Sequence, residues 1–536
     1  MVGTGIFTTP AQIIASTNSV GATLLLWALG GIVTLAGLYV FIELGTALPR
    51  SGGPLVYLPR IFRRPRYLAT CIFAVQFVLF ATSASSAVSF AANILQAGPV
   101  DRSGSYASNG LAIAIVTAVC LIHAFLPRHG VELSNVLGVV KLGFLLAISV
   151  AGFVALGGRS NTPPPGNFDI FDGPGTVEMA DALQGTPGSA AGFAVAVLHV
   201  LYSFSGWQSA NYVLGEVRRP KRTLFKAVPI AVGLVVVLYM LTNVAYFAAL
   251  SKNDIALTGI DQRSVAAAFF EAVVGDGSFV QIGVPILLAT SALGNVFAQV
   301  FAMARVKQEI AKEGLLPWSI FWAREEPFPA TFWSVSRHWV DRLAFLFRNW
   351  TTRPSPARAI LLHWIITVVI ILASTAADGA LYVSVTFFYA ESWVSLFLAA
   401  GLLSTFRHRN IEWLLDPVTE KSVFYKAPTL VVVFWALSLV FAVSAYFVPF
   451  RQFPTSAIPW YVVPTVGTGL LLVGAAYWLL WAAARNRFGF YLRDRTLNHD
   501  GVVVTEHIRI EKRAERVEMI HSVGRIRRGH EIWTSL

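Results

Sequence analysis

Gly3-Thr4-Gly5-Ile6-Phe7 and Phe204-Ser205-Gly206-Trp207 interrupt two segments that otherwise read as membrane helices. Glycine weakens a helix from within, and without a Cβ it lets a ligand approach the backbone. In a bilayer, broken backbone persists only where protein or a cavity supplies new hydrogen-bond partners. Each interruption is therefore a packing kink, a close helix contact or a site for something polar. The presence of two favours the site.

The composition sets the solvent. Of 536 residues, 55% are hydrophobic and 13% charged, with a mean hydropathy of +0.62. Soluble domains carry about 25% charged residues, so this is an all-α polytopic membrane protein. A span needs roughly 20 apolar residues. Segments meeting that lie near 3–18, 21–48, 67–97, 107–126, 132–157 and 189–215, then 225–250, 279–304, 359–375, 381–405, 428–448 and 459–484. No basic n-region or small-residue cleavage pattern marks a signal peptide.

The net charge of +12 does not point to nucleic acid. With a cytoplasmic start, 35 Lys/Arg fall in the cytoplasmic loops and tail, counting Arg305, Lys307 and Lys312, and five outside: Arg102, Arg159, Lys252, Arg263 and Arg451. That bias is a positive-inside signal and puts both termini in the cytoplasm. Lys141 remains inside a span. Cys71 and Cys120 lie in apolar spans, and no metal, redox or cofactor motif is present.

The interruptions open spans one and six, about 200 residues apart. Paired discontinuous helices at matching positions of two halves characterise transporters built from inverted repeats, with the substrate at the breaks. The expected organisation is a first repeat at 1–157, an external loop at 158–188, and a second repeat at 189–405 containing a cytoplasmic insertion at 305–358. Accessory spans at 406–484 and a cytoplasmic tail at 485–536 follow. The Pro- and Gly-rich external loop reads as a flexible connector, and 263–275 as a short external amphipathic stretch. Trp318, Trp322, Trp333, Trp339 and Trp350 among arginines suit either a segment at the inner membrane surface or an irregular insertion.

A broken helix offers amide N–H groups for a carboxylate and carbonyls for an ammonium. One break can hold both ends of a zwitterion and two can orient it, which points to an α-amino acid. The carboxylate is assigned to N–H groups around Gly3, Thr4, Gly5 and Ile6 and to Ser205 and Gly206. The ammonium falls to carbonyls near Gly3, Tyr202 and Ser203. Tyr202, Phe204 and Trp207 bring aromatic faces to this level, for an apolar side chain, a gate or ordinary packing. Gln208 reaches a substrate side chain or caps the broken helix. His199 reads as packing, and Glu43 and Glu216 as inner-gate ion pairs or simple helix termini.

These residues resemble a family. Gly3-Thr4-Gly5-Ile6-Phe7 with Thr8-Thr9-Pro10 is similar to the first span of amino acid–polyamine–organocation transporters, on the L-type branch and nearest its fungal methionine-permease-like members. Glu43 with Pro49-Arg50-Ser51-Gly52-Gly53, Val140-Lys141-Leu142, Ser205-Gly206-Trp207 with Glu216 and Pro220, and Ala311-Lys312-Glu313-Gly314 with Leu316-Pro317 match in order. The resemblance covers residues 1–485. It implies a LeuT-type fold of 5+5 inverted repeats plus two accessory helices. It also implies a stand-alone permease, with the plasma membrane as its expected location, moving neutral, methionine-like amino acids by alternating access with a proton as coupling ion.

In proton-coupled and exchanger relatives the lysine matching Lys141 stands where sodium-driven carriers hold a cation. Its ammonium then sits against the broken first helix, linking conformation to protonation; the other reading is snorkelling to the inner interface. Glu391 is the second intramembrane charge, as proton carrier, as partner of a backbone donor or His363, or as a structural group. L-type relatives in animals join a heavy chain through an external cysteine between spans three and four. The corresponding loop, 98–106, has none, so no disulfide-linked partner is expected. The family pattern places a first half-helix before Gly3, where only Met1 and Val2 stand, so the first helix is expected to be truncated by a late start or a fragment. An amino acid exchanger, a non-transporting amino acid sensor and a polyamine carrier are the alternatives. An enzyme would need a carboxylate or histidine constellation that the loops do not offer.

Overall fold

The computed structural model describes residues 1–98, 105–158, 165–174, 188–260, 263–324, 355–374, 377–407, 425–449, 459–488, 490–491 and 511–512. In chain order the helices are α1 (Gly5–Thr17), α2 (Val20–Ala47), α3 (Pro54–Ile61), α4 (Leu68–Phe80), α5 (Ala84–Ala97) and α6 (Ser105–Phe125). Next come α7 (Pro127–Leu156), α8 (Ala190–Ser203), α9 (Ser209–Tyr212), α10 (Pro220–Ala249), α11 (Lys252–Ile260) and α12 (Val265–Val274). The last are α13 (Val284–Lys312), α14 (Ser319–Ala323), α15 (Ala357–Ala373), α16 (Ala377–Gly401), α17 (Thr429–Ala445) and α18 (Val462–Phe488). The described residues also hold a 3-10 turn at Leu214–Glu216, π-helical turns at Phe279–Gly283 and Leu402–Phe406, and a two-residue antiparallel pairing of Phe490–Tyr491 with Glu511–Lys512.

Helix is what a bilayer demands of a continuous apolar run, because it satisfies the backbone within the segment. Local chemistry sets the starts. Ser19, Ser189 and Ser264 accept from the amides of Ala22, Gly192 and Ala267, while Pro127 and Pro220 occupy first positions where the missing N–H costs nothing. Among the described residues, eight helical segments are long and apolar enough to cross a membrane. The other four spans read from the sequence are α1, α8, α15 and α17, of 13, 14, 17 and 17 residues. Leu25 and Ile32 on α2, Val139 and Val150 on α7, and Ile230 and Val237 on α10 are exposed, as expected of surfaces that face lipid rather than water.

The packing interleaves the two ends of the chain. α1 lies on α8, α2 on α10, α5 on α13 and α6 on α15, with α7 against both α10 and α13. The contacts bring the two interruptions side by side.

Three features depart from the sequence reading. The segment read as one span at 67–97 is interrupted at Ala81–Ser83, between α4 and α5. The hydroxyl-rich run Thr82-Ser83-Ala84-Ser85-Ser86 competes for backbone hydrogen bonds there. The eighth span, read as ending at 304, continues to Lys312, so Lys307 is a fully buried side chain and not a loop cation. The connector at 158–188 is docked where it is described. Gly21 N–H donates to Phe171 O at 2.8 Å, and Asn167 Nδ2 to the carbonyls of Phe247 and Leu250 at 2.9 and 2.7 Å. Lys252 Nζ reaches the carbonyls of Asn18, Asp172 and Gly173 at 3.2–3.3 Å. Burial pulls its ammonium below the ordinary lysine range, which the Asp172 carboxylate partly offsets. Residues 99–104, which carry the cysteine-free loop, and Trp333, Trp339, Trp350 and nearly all of the tail lie outside the described residues.

At the opposite end from Lys252, Glu43 is fully buried and gripped by Arg407: Nε donates to Oε1 at 2.9 Å and Nη2 to Oε2. Ala427 N–H donates to the same carboxylate at 2.8 Å, and Arg407 Nη2 donates to Ala427 O at 2.7 Å. Arg305 pairs with Glu216 at 3.0 Å nearby in sequence to the second break. Removing one member of a buried pair leaves an uncompensated charge, at a cost of about 3–5 kcal/mol. Arg407→Met is therefore expected to lower the thermal unfolding midpoint of the detergent-solubilised protein sharply, with Glu43→Leu/Arg407→Met recovering much of the loss. A single variant that melts with the wild type would show that the clamp carries no stability.

Candidate functional site

The second interruption runs from Phe204 to Gln208. α8 ends at Ser203, Gly206 takes a φ of +98°, and α9 resumes at Ser209. α1 begins alongside, at Gly5, and Thr4 supplies no side-chain cap, so the amides of Gly5 and Ile6 carry no capping bond while Phe7 N–H turns back to Thr4 O at 3.0 Å. The two are fastened by Thr9 Oγ1 and Ser203 Oγ at 2.7 Å, with Ser203 Oγ also donating to His199 O at 2.8 Å. A Cβ on Gly5 would meet the Cα of Ser203 at 3.2 Å. Glycine there is what allows the helices to touch.

Between them opens a cavity of about 180 Å³. Gly3, Thr4 and Gly5 form one wall, and Tyr202, Ser203, Ser205, Gly206 and Gln208 another. Thr82, Ser85 and Ser86 contribute from the interrupted third span, Asn295 and Gln299 from α13, and Phe388 and Glu391 from α16. Among the described residues, Gln208 Oε1 and Gln299 Oε1 are buried and meet no hydrogen-bond partner. Leaving such groups unmade is costly, so a site that tolerates them offers them to a ligand. Tyr202 presents its ring edge-on to Phe388, 5.9 Å between centroids.

The structure thus brings together nine of the thirteen residues expected at the site. Ile6, Phe204 and Trp207 are not in the wall. Ile6 and Phe204 are 0% exposed in the apolar core, Phe204 against Trp27 and Tyr239. Trp207 turns the other way, onto Phe41 and Trp435. Ile6 lies one position from Gly5, about 100° round the axis of α1, while Phe204 and Trp207 lie in the non-helical turn of the second break, on either side of the wall residues Ser205 and Gly206. Lys141 stands behind the wall. Its Nζ donates to Val2 O at 3.0 Å and to Asn295 Oδ1 at 2.5 Å, so it holds the backbone just before α1 and a side chain that itself faces the cavity. Glu391 accepts from Tyr212 Oη at 3.2 Å and Gln76 Nε2 at 3.3 Å. His363 is not its partner; that ring bonds Ser83 and Lys307 instead.

Asn295, Gln299, Thr82, Ser85 and Ser86 escaped the sequence reading. The signal was there: Asn295 and Gln299 are four apart, on one helical face of an apolar span, and the hydroxyls cluster in the third. Among the described residues no cluster of metal-ligating side chains occurs. Uncapped amides, backbone carbonyls and buried amide oxygens around a small enclosed space can fix a small zwitterion and can do no evident covalent chemistry.

The amino acid permease family model matches residues 1–471. The high-affinity methionine permease of Saccharomyces cerevisiae is 31% identical over 497 residues, which cover 92% of this chain and 78% of that protein. The low-affinity methionine permease of the same organism is 28% identical over 521 residues, covering 95% and 85%. The mouse b(0,+)-type amino acid transporter 1 is 29% identical over 317 residues, covering 59% and 60%.

A side chain at Gly206 would have to adopt a left-handed backbone conformation, which costs about 1–3 kcal/mol. Gly206→Ala is expected to lower the unfolding midpoint of the ligand-free protein and to reduce the rise produced by a saturating amino acid substrate. Gly5→Ala, which forces α1 from α8, should remove that rise. An unchanged substrate-induced shift in both variants would place the ligand elsewhere.

Proposed function

The chain belongs to the amino acid permease family, an integral membrane transporter of amino acids and not an enzyme, and from that premise we propose that it moves neutral, methionine-like L-amino acids by proton-coupled alternating access. The observation that carries the reading is the cavity between two facing helix interruptions, with Lys141 behind it. The substrate carboxylate takes the amides at Gly3–Gly5 and around Ser205 and Gly206. The ammonium takes the carbonyls at the end of α8. Gln208 and Gln299 serve the remaining polar contacts, while Tyr202 and Phe388 enclose the apolar side chain.

Lys141 is the coupling residue in this reading. As an ammonium it donates to Val2 O and Asn295 Oδ1 together; without its proton one of those bonds weakens, and the start of α1 loosens from α13. Glu391, on the far side of the cavity, is the second coupling candidate. The two halves, 1–157 and 189–405, form inverted repeats with the break of each facing the other. Both termini lie in the cytoplasm and the protein resides in the plasma membrane. The names of the yeast relatives support methionine as the first substrate to test.

Purified protein in liposomes should take up radiolabelled methionine saturably, faster with acid outside. Lys141→Ala should lose the response to the gradient and slow uptake by about tenfold or more, the scale of a lost charged hydrogen bond. An unchanged rate and pH dependence in that variant would remove Lys141 from the mechanism. Gradient-insensitive uptake that requires internal amino acid would make the protein an exchanger, and saturable binding without flux a sensor.

A further inference from the structure

The third interruption leaves a helix start that the two charged ends of a zwitterion do not use. α5 begins at Ala84, and its N-cap residue Ser83 makes no side-chain cap. The Ser83 hydroxyl is turned elsewhere, to His363 Nε2 at 3.2 Å, and His363 Nδ1 lies 3.3 Å from Lys307 Nζ. The first backbone bond of this helix is Ala87 N–H to Ser83 O at 3.0 Å. Among the described residues no backbone carbonyl accepts from the amides of Ala84, Ser85 or Ser86. Such amides point out of the helix start, here toward the break, where the helix dipole is positive.

A second observation is independent of the helix. Thr82, just before the cap, lines the cavity and is 5% exposed. Among the described residues its Oγ1 meets no hydrogen-bond partner. Ser85 and Ser86, in the first turn of α5, line the same cavity. On α13, which packs along α5, Gln299 Oε1 is a bare acceptor in the wall. Donors and an acceptor thus stand unmade around one space, and buried groups of that kind call for a partner.

The pattern selects a side chain. A thioether is a weak acceptor and no donor, so methionine held by its charged ends leaves Thr82, the α5 amides and Gln299 Oε1 without strong partners. A carboxamide is complementary: its carbonyl accepts and its NH2 donates. A carboxylate has no proton for Gln299 Oε1 and adds a negative charge to a cavity that already holds Glu391.

We propose that the start of α5, with Thr82, is a side-chain subsite of the transport cavity that takes the carboxamide of a glutamine-like neutral amino acid, carbonyl to α5 and NH2 to Gln299 Oε1. The proposal rests on the reading of the protein as an amino acid transporter whose α1 and α8 ends hold the charged groups of the substrate. Lys307 and His363 touch no substrate in it. They keep the Ser83 hydroxyl from capping the helix start that the side chain uses.

Competition against uptake of labelled methionine into liposomes tests it, with unlabelled glutamine, glutamate and norleucine as competitors. Norleucine has the chain length of methionine and no hydrogen-bonding group on its side chain. In the wild type glutamine is expected to compete, and glutamate at least about tenfold more weakly, the scale of a charged group left unpaired. Thr82→Val removes an unpartnered hydroxyl and keeps its shape. The norleucine-to-glutamine ratio of inhibition constants should then fall about three- to tenfold, the worth of one neutral hydrogen bond. Thr82→Ser retains the hydroxyl and should retain the wild-type ratio. An unchanged ratio in a transporting Thr82→Val would overturn the subsite and leave transport intact. If that variant fails to fold, the wild type still decides: glutamine that does not compete, or glutamate that competes equally, overturns it. Absence of saturable methionine uptake by the wild type would instead overturn the transporter reading beneath it.

Discussion

Backbone hydrogen bonding in a medium without water is the constraint from which the rest follows. An interrupted helix strands amides and carbonyls that lipid cannot satisfy. This chain answers by setting one interruption against another: α1 begins where α8 ends, and the Thr9–Ser203 contact holds them together. The gap between such ends cannot close fully, because each stranded group points along its own helix axis. A cavity lined by backbone is the geometric residue of that arrangement. The third interruption, at Ala81–Ser83, widens the same space with hydroxyls.

The buried charges are anchored in different ways. Glu43 is neutralised by Arg407 in a closed pair with two forked hydrogen bonds, so it holds elements together. Lys141 has, among the described residues, two neutral hydrogen-bond acceptors, a carbonyl and an amide oxygen. Glu391 has a hydroxyl and an amide, and Lys307 an imidazole. A charge with neutral partners can change its protonation without breaking an ion pair. Residue type alone does not separate these cases; the partner does.

Much of the architecture was legible in the sequence because the bilayer makes hydropathy a strong signal. Spans, the two Gly-containing breaks and the intramembrane Lys141 and Glu391 needed no tertiary information. Side-chain direction did need it. Trp207 and Phe204 neighbour wall residues in sequence yet face away, since the turn at the break, with Gly206 in a left-handed conformation, sets their directions. Asn295 and Gln299 were visible as a polar pair on one face, but the sequence does not say what that face meets. Lys307 was counted as a loop cation because the eighth span becomes polar before the helix ends, and only the position of α15 shows that it is enclosed. The third break carried no glycine or proline, so it left the weakest signal of the three.

Lys252 changes the economics of chain closure outside the membrane. One ammonium gathers carbonyls from residues 18, 172 and 173, and with the Asn167 contacts it pins the middle of the long connector between the two halves. Closure entropy grows with the logarithm of loop length, so a connector fixed at its midpoint behaves as two short loops instead of a long one. The helices before and after the connector are thereby leashed through a fixed post at the end of the bundle that carries Lys252. Insertions in either arm then alter only local loop entropy, whereas loss of the post exposes the full length of the tether.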